Sequence, residues 1–363
     1  MKTRTFKTVI TSLIFACWII VIGKQCSSFV IGKQVQRISK NYYSPNLYNF
    51  ILGKNLRVLI VSSYVACGER QTTMRIANAI DKLGYSSCVI YGKHPILAKV
   101  IKSDFSITFN HNKPPYNCNY NFYVFHQPDY LKCNIRDYDA FLTTIPKIYL
   151  PETIVKNKDV IPFYLSEAES KFDASDKSRL FFCGDLWDHY RLSLLGLYRM
   201  LDKTGYFDVY GTEKCWLRYG LESYKGFIPA FKDGAIIDVM KKCGVSLVLH
   251  SNEHFKHNVA TSRIFESAAA SNVIICDRIP FVVENFADSV LYVDRNASQE
   301  EMFKQIDNHM KWILANPDEA KKLARRSHEI FVKNFSLEKQ VQRVIDFYFQ
   351  KVRKTEGSAK NCE

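Results

Sequence analysis

The feature that most constrains this chain runs from Val245 to Asp294: VSLVLHSNEHFKHNVATSRIFESAAASNVIICDRIPFVVENFADSVLYVD. Val245–Leu249 is a short apolar run with the length and boundaries of a buried strand. Ser251 to Asn258 form a polar, histidine-rich loop. Thr261 and Ser262 are suited to cap a helix that Glu266 and Ala268–Ala270 continue. Val273–Ile275 read as a second buried strand, and Asp277 to Pro280 as the turn out of it. Such a strand–loop–helix–strand unit belongs to a parallel sheet with helices on its faces. The helix N-termini then lie at the carboxyl edge of the sheet, where anions bind. Arg263 and Glu266, three residues apart, share one helix face. A guanidinium for phosphate oxygens and a carboxylate for sugar hydroxyls suit a nucleotide diphosphate. The same spacing also fits an exposed intrahelical ion pair.

This stretch resembles the carboxyl-terminal half of the GT-B glycosyltransferases, most closely the group-1 type related to CgeB proteins. Thr261, Arg263, Phe265, Glu266, Ala268, Ile274, Asp277, Pro280 and Glu284 carry the resemblance. It implies donor contacts from Thr261, Arg263, Glu266 and Glu284, with Glu266 on the ribose. Many relatives have a second glutamate eight positions upstream of the one matched by Glu266. This chain has Asn258 there.

The 363 residues suit two domains of ordinary size, and 47% hydrophobic content is enough for buried cores. The net charge of +14 is compatible with nucleic acid, an anionic membrane surface or anionic substrates. Its basic residues are dispersed and no nucleic-acid module is recognisable, so a membrane surface and a phosphorylated donor are the expected partners, and nucleic acid is not. The eleven cysteines include no CxxC pair, which argues against a zinc ribbon or redox motif. Cys183 and Cys276 read as small buried apolar residues.

At the amino terminus, Lys2, Arg4 and Lys7 precede sixteen uncharged residues, Thr8 to Gly23. As a helix they span about 24 Å, short of a hydrocarbon core of roughly 30 Å. We read them as a short signal anchor or signal-peptide core, followed by a stem. The expected location is therefore at a membrane, through this single segment, with the side undecided. A peripheral helix on a cytoplasmic protein is the alternative.

The first domain opens with the strand LRVLIVSS from Leu56. A helix through Ile76, Ala79 and Ile80 follows, then a strand at Cys88–Tyr91. The intervening loop lacks GxGxxG, so no dinucleotide cofactor is indicated, and no cofactor is expected beyond the donor itself. Further strands read at Phe105–Phe109, Phe122–Phe125 and Ala140–Thr143. His126 stands at the end of its strand. Related transferases often carry a functional histidine after a comparable strand, so His126 is the candidate catalytic residue, able to take a proton from an acceptor hydroxyl or to bond the donor sugar. A strand-end histidine bonded to a carbonyl is the plain alternative. Asp137 and Asp139 form a DxD, the pattern that holds a divalent metal in other transferases. Here it precedes a strand and reads as turn chemistry. His250, His254 and His257 would converge only on a helix, whereas strand and loop are expected there, so no metal site is predicted.

The polar stretch from Glu167 to Lys177 suits an interdomain hinge. RLFFCGDLWDHYRLSLLGLYRML then gives a strand at Leu180–Cys183, a loop at Gly184 and Asp185, and a helix with Leu192, Leu195 and Tyr198 on one face. It resembles the first unit of the GT-B donor domain. Gly184 admits close backbone approach to a pyrophosphate, and Arg191 supplies charge. Phe207–Gly211 is the next strand and turn, and Lys225 to Pro229 resemble a segment near the nucleotide base. A helix from Pro317, a break at Asn334–Ser336 and a terminal helix resemble the close of group-1 transferases, whose last helix returns to the first domain.

The expected fold is thus α/β, with two Rossmann-like doubly wound domains facing a cleft. The expected divisions are an anchor and linker at 1–54, an acceptor domain at 55–172, a donor domain at 173–335 and a crossing helix with tail at 336–363. The expected activity is metal-independent transfer of a sugar from a nucleotide diphosphate sugar to a glycan, lipid or protein acceptor. Two rivals stand beside it: a non-catalytic, membrane-anchored binding protein on the same fold, and a metal-dependent transferase using the DxD.

Overall fold

The computed structural model describes residues 42–53, 55–62, 68–92, 101–109, 117–125, 134–186, 189–228 and 234–360. The Thr8–Gly23 segment and His126 lie outside them. The first sheet holds β1 (Tyr42–Tyr43), β2 (Arg57–Ser62), β3 (Ser86–Tyr91), β4 (Ser103–Phe109), β5 (Cys118–Phe125), β6 (Ala140–Thr143) and β7 (Asp159–Pro162), in the order β1-β3-β2-β4-β5-β6-β7. The second holds β8 (Arg179–Cys183), β9 (Phe207–Tyr210), β10 (Tyr224–Gly226), β11 (Gly244–Val248), β12 (Val273–Asp277) and β13 (Leu291–Val293), in the order β10-β9-β8-β11-β12-β13. From β2 through β7, and throughout the second sheet, neighbouring strands are parallel. Runs such as Val58–Val61 and Val273–Cys276 are buried on both faces, as parallel strands covered by helices must be.

The helices are α1 (Leu47–Leu52), α2 (Gly68–Lys82), α3 (Glu152–Asn157), α4 (His189–Ser193), α5 (Leu195–Asp202), α6 (Glu213–Trp216) and α7 (Ala235–Cys243). They continue with α8 (Asn252–Lys256), α9 (Ser262–Ala269), α10 (Pro280–Phe286), α11 (Gln299–Ala315), α12 (Pro317–Ile330) and α13 (Leu337–Lys360). Between α12 and α13, Phe331–Phe335 form a π-turn, and Ser336 leaves the helical region at φ −57°, ψ 148°. This is the break expected at Asn334–Ser336. Beyond it α13 returns to the first sheet, where Leu337, Val341, Val344, Ile345 and Tyr348 join the core of Val58, Ile60, Phe105 and Phe122.

The structure also departs from the sequence reading. Residues 42–52, expected within the linker, form β1 and α1, and Phe50 packs on Leu59, Val61, Cys88 and Ile90. The helix expected to carry Leu192, Leu195 and Tyr198 on one face is broken at Leu194 into α4 and α5. Tyr198 is buried, but Leu192 faces out at 39% exposure. The stretch from Glu167 to Lys177 is tied down along its length. Ser170 Oγ donates to Ala269 O at 2.8 Å, Ser271 Oγ accepts the Asp173 amide at 3.0 Å, and His328 Nε2 lies 3.1 Å from Ser170 O. The polar composition of this stretch supplies hydrogen bonds to the second sheet's helices. Finally, the loop at Ser251–Asn258 contains α8, because Ser251 Oγ accepts the His254 amide and caps a short helix. Among the described residues no helix is long and apolar enough to cross a membrane.

Candidate functional site

The second sheet runs outward in both directions from β8 and β11, so its switch point lies between their carboxyl ends. In open α/β sheets ligands bind in the crevice at that point. Gly184 follows β8 there. Its amide donates to Tyr210 O at 3.1 Å, and its carbonyl accepts Trp216 Nε1–H at 2.8 Å, so the loop backbone is held from the β9 side. The Arg191 guanidinium lies over Gly184. A Cβ there would come within 3.4 Å of Arg191 Nη1, which also donates to Asp185 O at 3.5 Å. Gly184 and Arg191, separate readings in the sequence, are therefore one local arrangement.

Arg263 and Glu266 come to the same edge from α9. Arg263 Nε donates to Cys183 O at 3.4 Å, which carries the guanidinium across the switch point to the last residue of β8. Its Nη1 is bonded to Glu266 Oε2. The Arg263 side chain is 31% exposed and that of Glu266 only 6%. Burial works most strongly against the Arg263 charge, but the Glu266 carboxylate and the Cys183 sulfur together raise the guanidinium pKa above its ordinary value. Burial likewise pushes the Cys183 thiol up, against the pull of Arg263. Thr261 is the N-cap residue of α9 and nearly buried, with extended backbone and no side-chain capping bond; its carbonyl accepts the Ile264 amide at 3.2 Å.

Glu284 is exposed on α10. The start of α10 is bound by Asn258, whose Oδ1 accepts the Phe281 amide at 2.7 Å. Asn258 also adopts φ 51°, a left-handed conformation that asparagine tolerates better than glutamate. The residue that departs from the family pattern thus has a structural task of its own.

Three further charged groups complete the surroundings: Arg75 and Arg295, which the sequence reading missed, and Asp277, to which it gave no partner. Arg75, on α2, is 4% exposed and pairs with Glu167; its Nη1 also lies 3.8 Å from Glu266 Oε1. One signal was present, because Arg75 stands a helical turn before Ala79 on the stripe that Ile76 and Ile80 bury. Asp277, read as a turn residue, ends β12 and binds His250 Nδ1 at 2.6 Å and Arg295 Nη1 at 3.1 Å. Arg295 is also sandwiched between the rings of Tyr190 and Phe255, 4.0 and 4.2 Å from their centroids.

The His250 and His254 rings lie edge-on, 6.4 Å apart between centroids, but the three histidines form no cluster of metal-ligand geometry among the described residues. His250 is buried beside Asp277, His254 is in α8, and His257 ends it. Among the described residues no group of three His, Cys, Asp or Glu side chains is placed to hold a metal. Asp139 of the DxD accepts the Asn121 amide at 2.7 Å, and Asp137 Oδ1 accepts from Asn134 Nδ2 at 3.3 Å.

Residues 195–346 match the family model described as glycosyl transferase-like. Among solved structures the chain is similar to a glycosyltransferase from Rickettsia africae, with 16% identity over 82% of this chain and 98% of that one, at a TM-score of 0.56. It is also similar to sucrose-phosphate synthase from Thermosynechococcus elongatus, with 11% identity over 82% and 100% of the two chains and a TM-score of 0.57. No curated protein sequence matches the chain. The chain therefore carries a glycosyltransferase-like domain on the two-domain α/β fold of the GT-B enzymes. The narrower kinship with CgeB proteins rests on the sequence resemblance alone.

Proposed function

We propose that the protein transfers a sugar from a nucleotide diphosphate donor to a glycan, lipid or protein acceptor. One observation carries this reading: Arg263, eighty positions along the chain from Cys183, reaches across the switch point to the end of β8, beside Gly184 and Arg191. Two guanidiniums and a glycine turn there suit a diphosphate. In this reading Arg191 and Arg263 carry the charge of the departing diphosphate without a divalent cation, and Glu266 accepts from the ribose. Thr261 and Glu284 line the donor side, and His126 acts on the acceptor hydroxyl or the donor sugar. Proteins on this fold need not be catalysts, and the commitment of Asn258 to the Phe281 amide favours one second reading, a binding protein without turnover.

Thermal unfolding with UDP, GDP, ADP and CMP tests the donor site. A ligand at a hundred times its Kd stabilises the folded state by about 2.7 kcal/mol. We expect one nucleoside diphosphate to raise the melting temperature, and its sugar conjugate to be turned over in excess chelator. No shift with any of the four removes the donor site. Binding without transfer or hydrolysis favours the binding-protein reading, and activity lost to chelator favours a metal-dependent one.

A further inference from the structure

Four buried or half-buried charges alternate from the interdomain segment to the switch point: Glu167, Arg75, Glu266 and Arg263. The two in the middle come from different sheets' helices, Arg75 from α2 and Glu266 from α9. The oxygens of Glu266 are used unequally. Oε2 is bonded to Arg263, whereas Oε1 lies 3.8 Å from Arg75 Nη1, beyond hydrogen-bond reach, and accepts no hydrogen bond from any described residue. Arg75 thus supplies a positive charge beside Oε1 without occupying its lone pairs. A carboxylate held this way keeps one open acceptor, which is what a ribose hydroxyl requires.

Building on the donor reading of Glu266, we propose that Arg75 is a positioning residue for ribose recognition, so that the donor site is completed from the first sheet's side of the molecule. Arg75 does not touch the nucleotide; it orients Glu266, and Glu167 holds Arg75. A donor that engages Glu266 then senses whether α2 is in place against α9.

The test compares UDP, GDP and ADP with their 2′,3′-dideoxy analogues by calorimetry, in the full chain and in variants. In the unmodified protein the ribonucleotide that binds should do so about tenfold more tightly than its dideoxy analogue, the worth of one hydrogen bond to a charged group. Arg75→Met combined with Glu167→Gln removes both charges together. It should bring that ratio down to about one, with dideoxy affinity changed by less than about twofold. Arg75→Lys keeps the charge but loses the fork geometry, and should give an intermediate ratio. If the double variant does not fold, Arg75→Lys carries the test alone. An unchanged ratio, or a parallel loss for both ligands, overturns the role of Arg75. If the unmodified protein binds a ribonucleotide and its dideoxy analogue equally, the ribose reading of Glu266 itself fails; if it binds none of them, the donor site does. In either case the role of Arg75 falls with the reading it rests on.

Discussion

His250 Nδ1 lies 2.6 Å from Asp277 Oδ1, and both side chains are completely buried. The same carboxylate accepts the His250 amide, at 3.2 Å to Oδ2, and pairs with Arg295, so one aspartate ties the ends of β11 and β12 to the loop after β13. Asp277→Ala leaves Arg295 buried without its counter-charge. Breaking such a pair from one side costs about 3–5 kcal/mol. The urea midpoint should fall accordingly with an unchanged m-value. A midpoint within experimental error of the parent's would mean that Arg295 and His250 find other partners.

Arg263→Ala should lower nucleoside diphosphate affinity roughly ten- to a hundredfold, since a charge-assisted contact contributes about 1.5–3 kcal/mol. The exposed ion pair that the spacing also fits would leave the melting temperature of the free protein untouched. The bond to Glu266, 6% exposed, changes that expectation. Removing the guanidinium leaves the carboxylate only Arg75, at 3.8 Å, among the described residues, so the free protein should also melt lower. Calorimetry and thermal unfolding read the two effects separately, and unchanged affinity would take Arg263 out of the site.

Much of this was legible because parallel strands are short apolar runs and their helices start at polar caps. β11, α9 and β12 follow from the pattern at Val245–Ile275, and the terminal break follows from Asn334–Ser336. The short edge strands β1, β7 and β10 lack such runs and were missed, and β13, inside the short run Val290–Val293, was not read as a strand. Glu266 was read as a residue facing a ligand; its second neighbour, Arg75, nearly two hundred positions away in sequence and 3.8 Å from Oε1, was not legible. Periodicity marks which side of α2 is buried but not what a buried arginine meets there. The break between α4 and α5 is likewise tertiary: Tyr198 packs tilted against Phe182 and edge-on against Trp216, and that packing wins over the helical register of Leu192.

Asn258→Ala should destabilise twice over. A left-handed non-glycine residue without a local hydrogen bond costs about 1–2 kcal/mol, and losing the bond to the Phe281 amide costs about 0.5–2 kcal/mol. Asn258→Gly keeps the left-handed freedom and should lose only the second contribution. Equal denaturation midpoints for the two variants would show that the backbone at φ 51° carries no strain.

The return of α13 makes the first sheet's stability depend on the end of the chain. Ile345 is fully buried among Val341, Val344 and Tyr348 against β4 and β5 residues such as Phe105 and Phe122. Ile345→Ala should cost about 2–5 kcal/mol through the lost contacts and the cavity left behind. Chemical denaturation measures it. A loss under about 1 kcal/mol would mean that the core collapses around the missing atoms.

The uncharged run Thr8–Gly23, which lies outside the described residues, should decide membrane attachment without deciding chemistry. Phe50 belongs to the first sheet's core, so a chain shortened to begin at Tyr42, rather than near Asn55, is the one expected to fold and bind nucleotide. We expect the full chain to partition with membranes at high salt and the shortened chain to stay in solution. The net charge of +14 can add a salt-sensitive attraction to an anionic surface, about 1 kcal/mol for each basic residue brought close to it. Fractionation at low and high salt separates that attraction from insertion. If the full chain leaves the membrane completely at high salt, Thr8–Gly23 is not a spanning anchor. If the shortened chain fails to fold, residues before Tyr42 belong to the core.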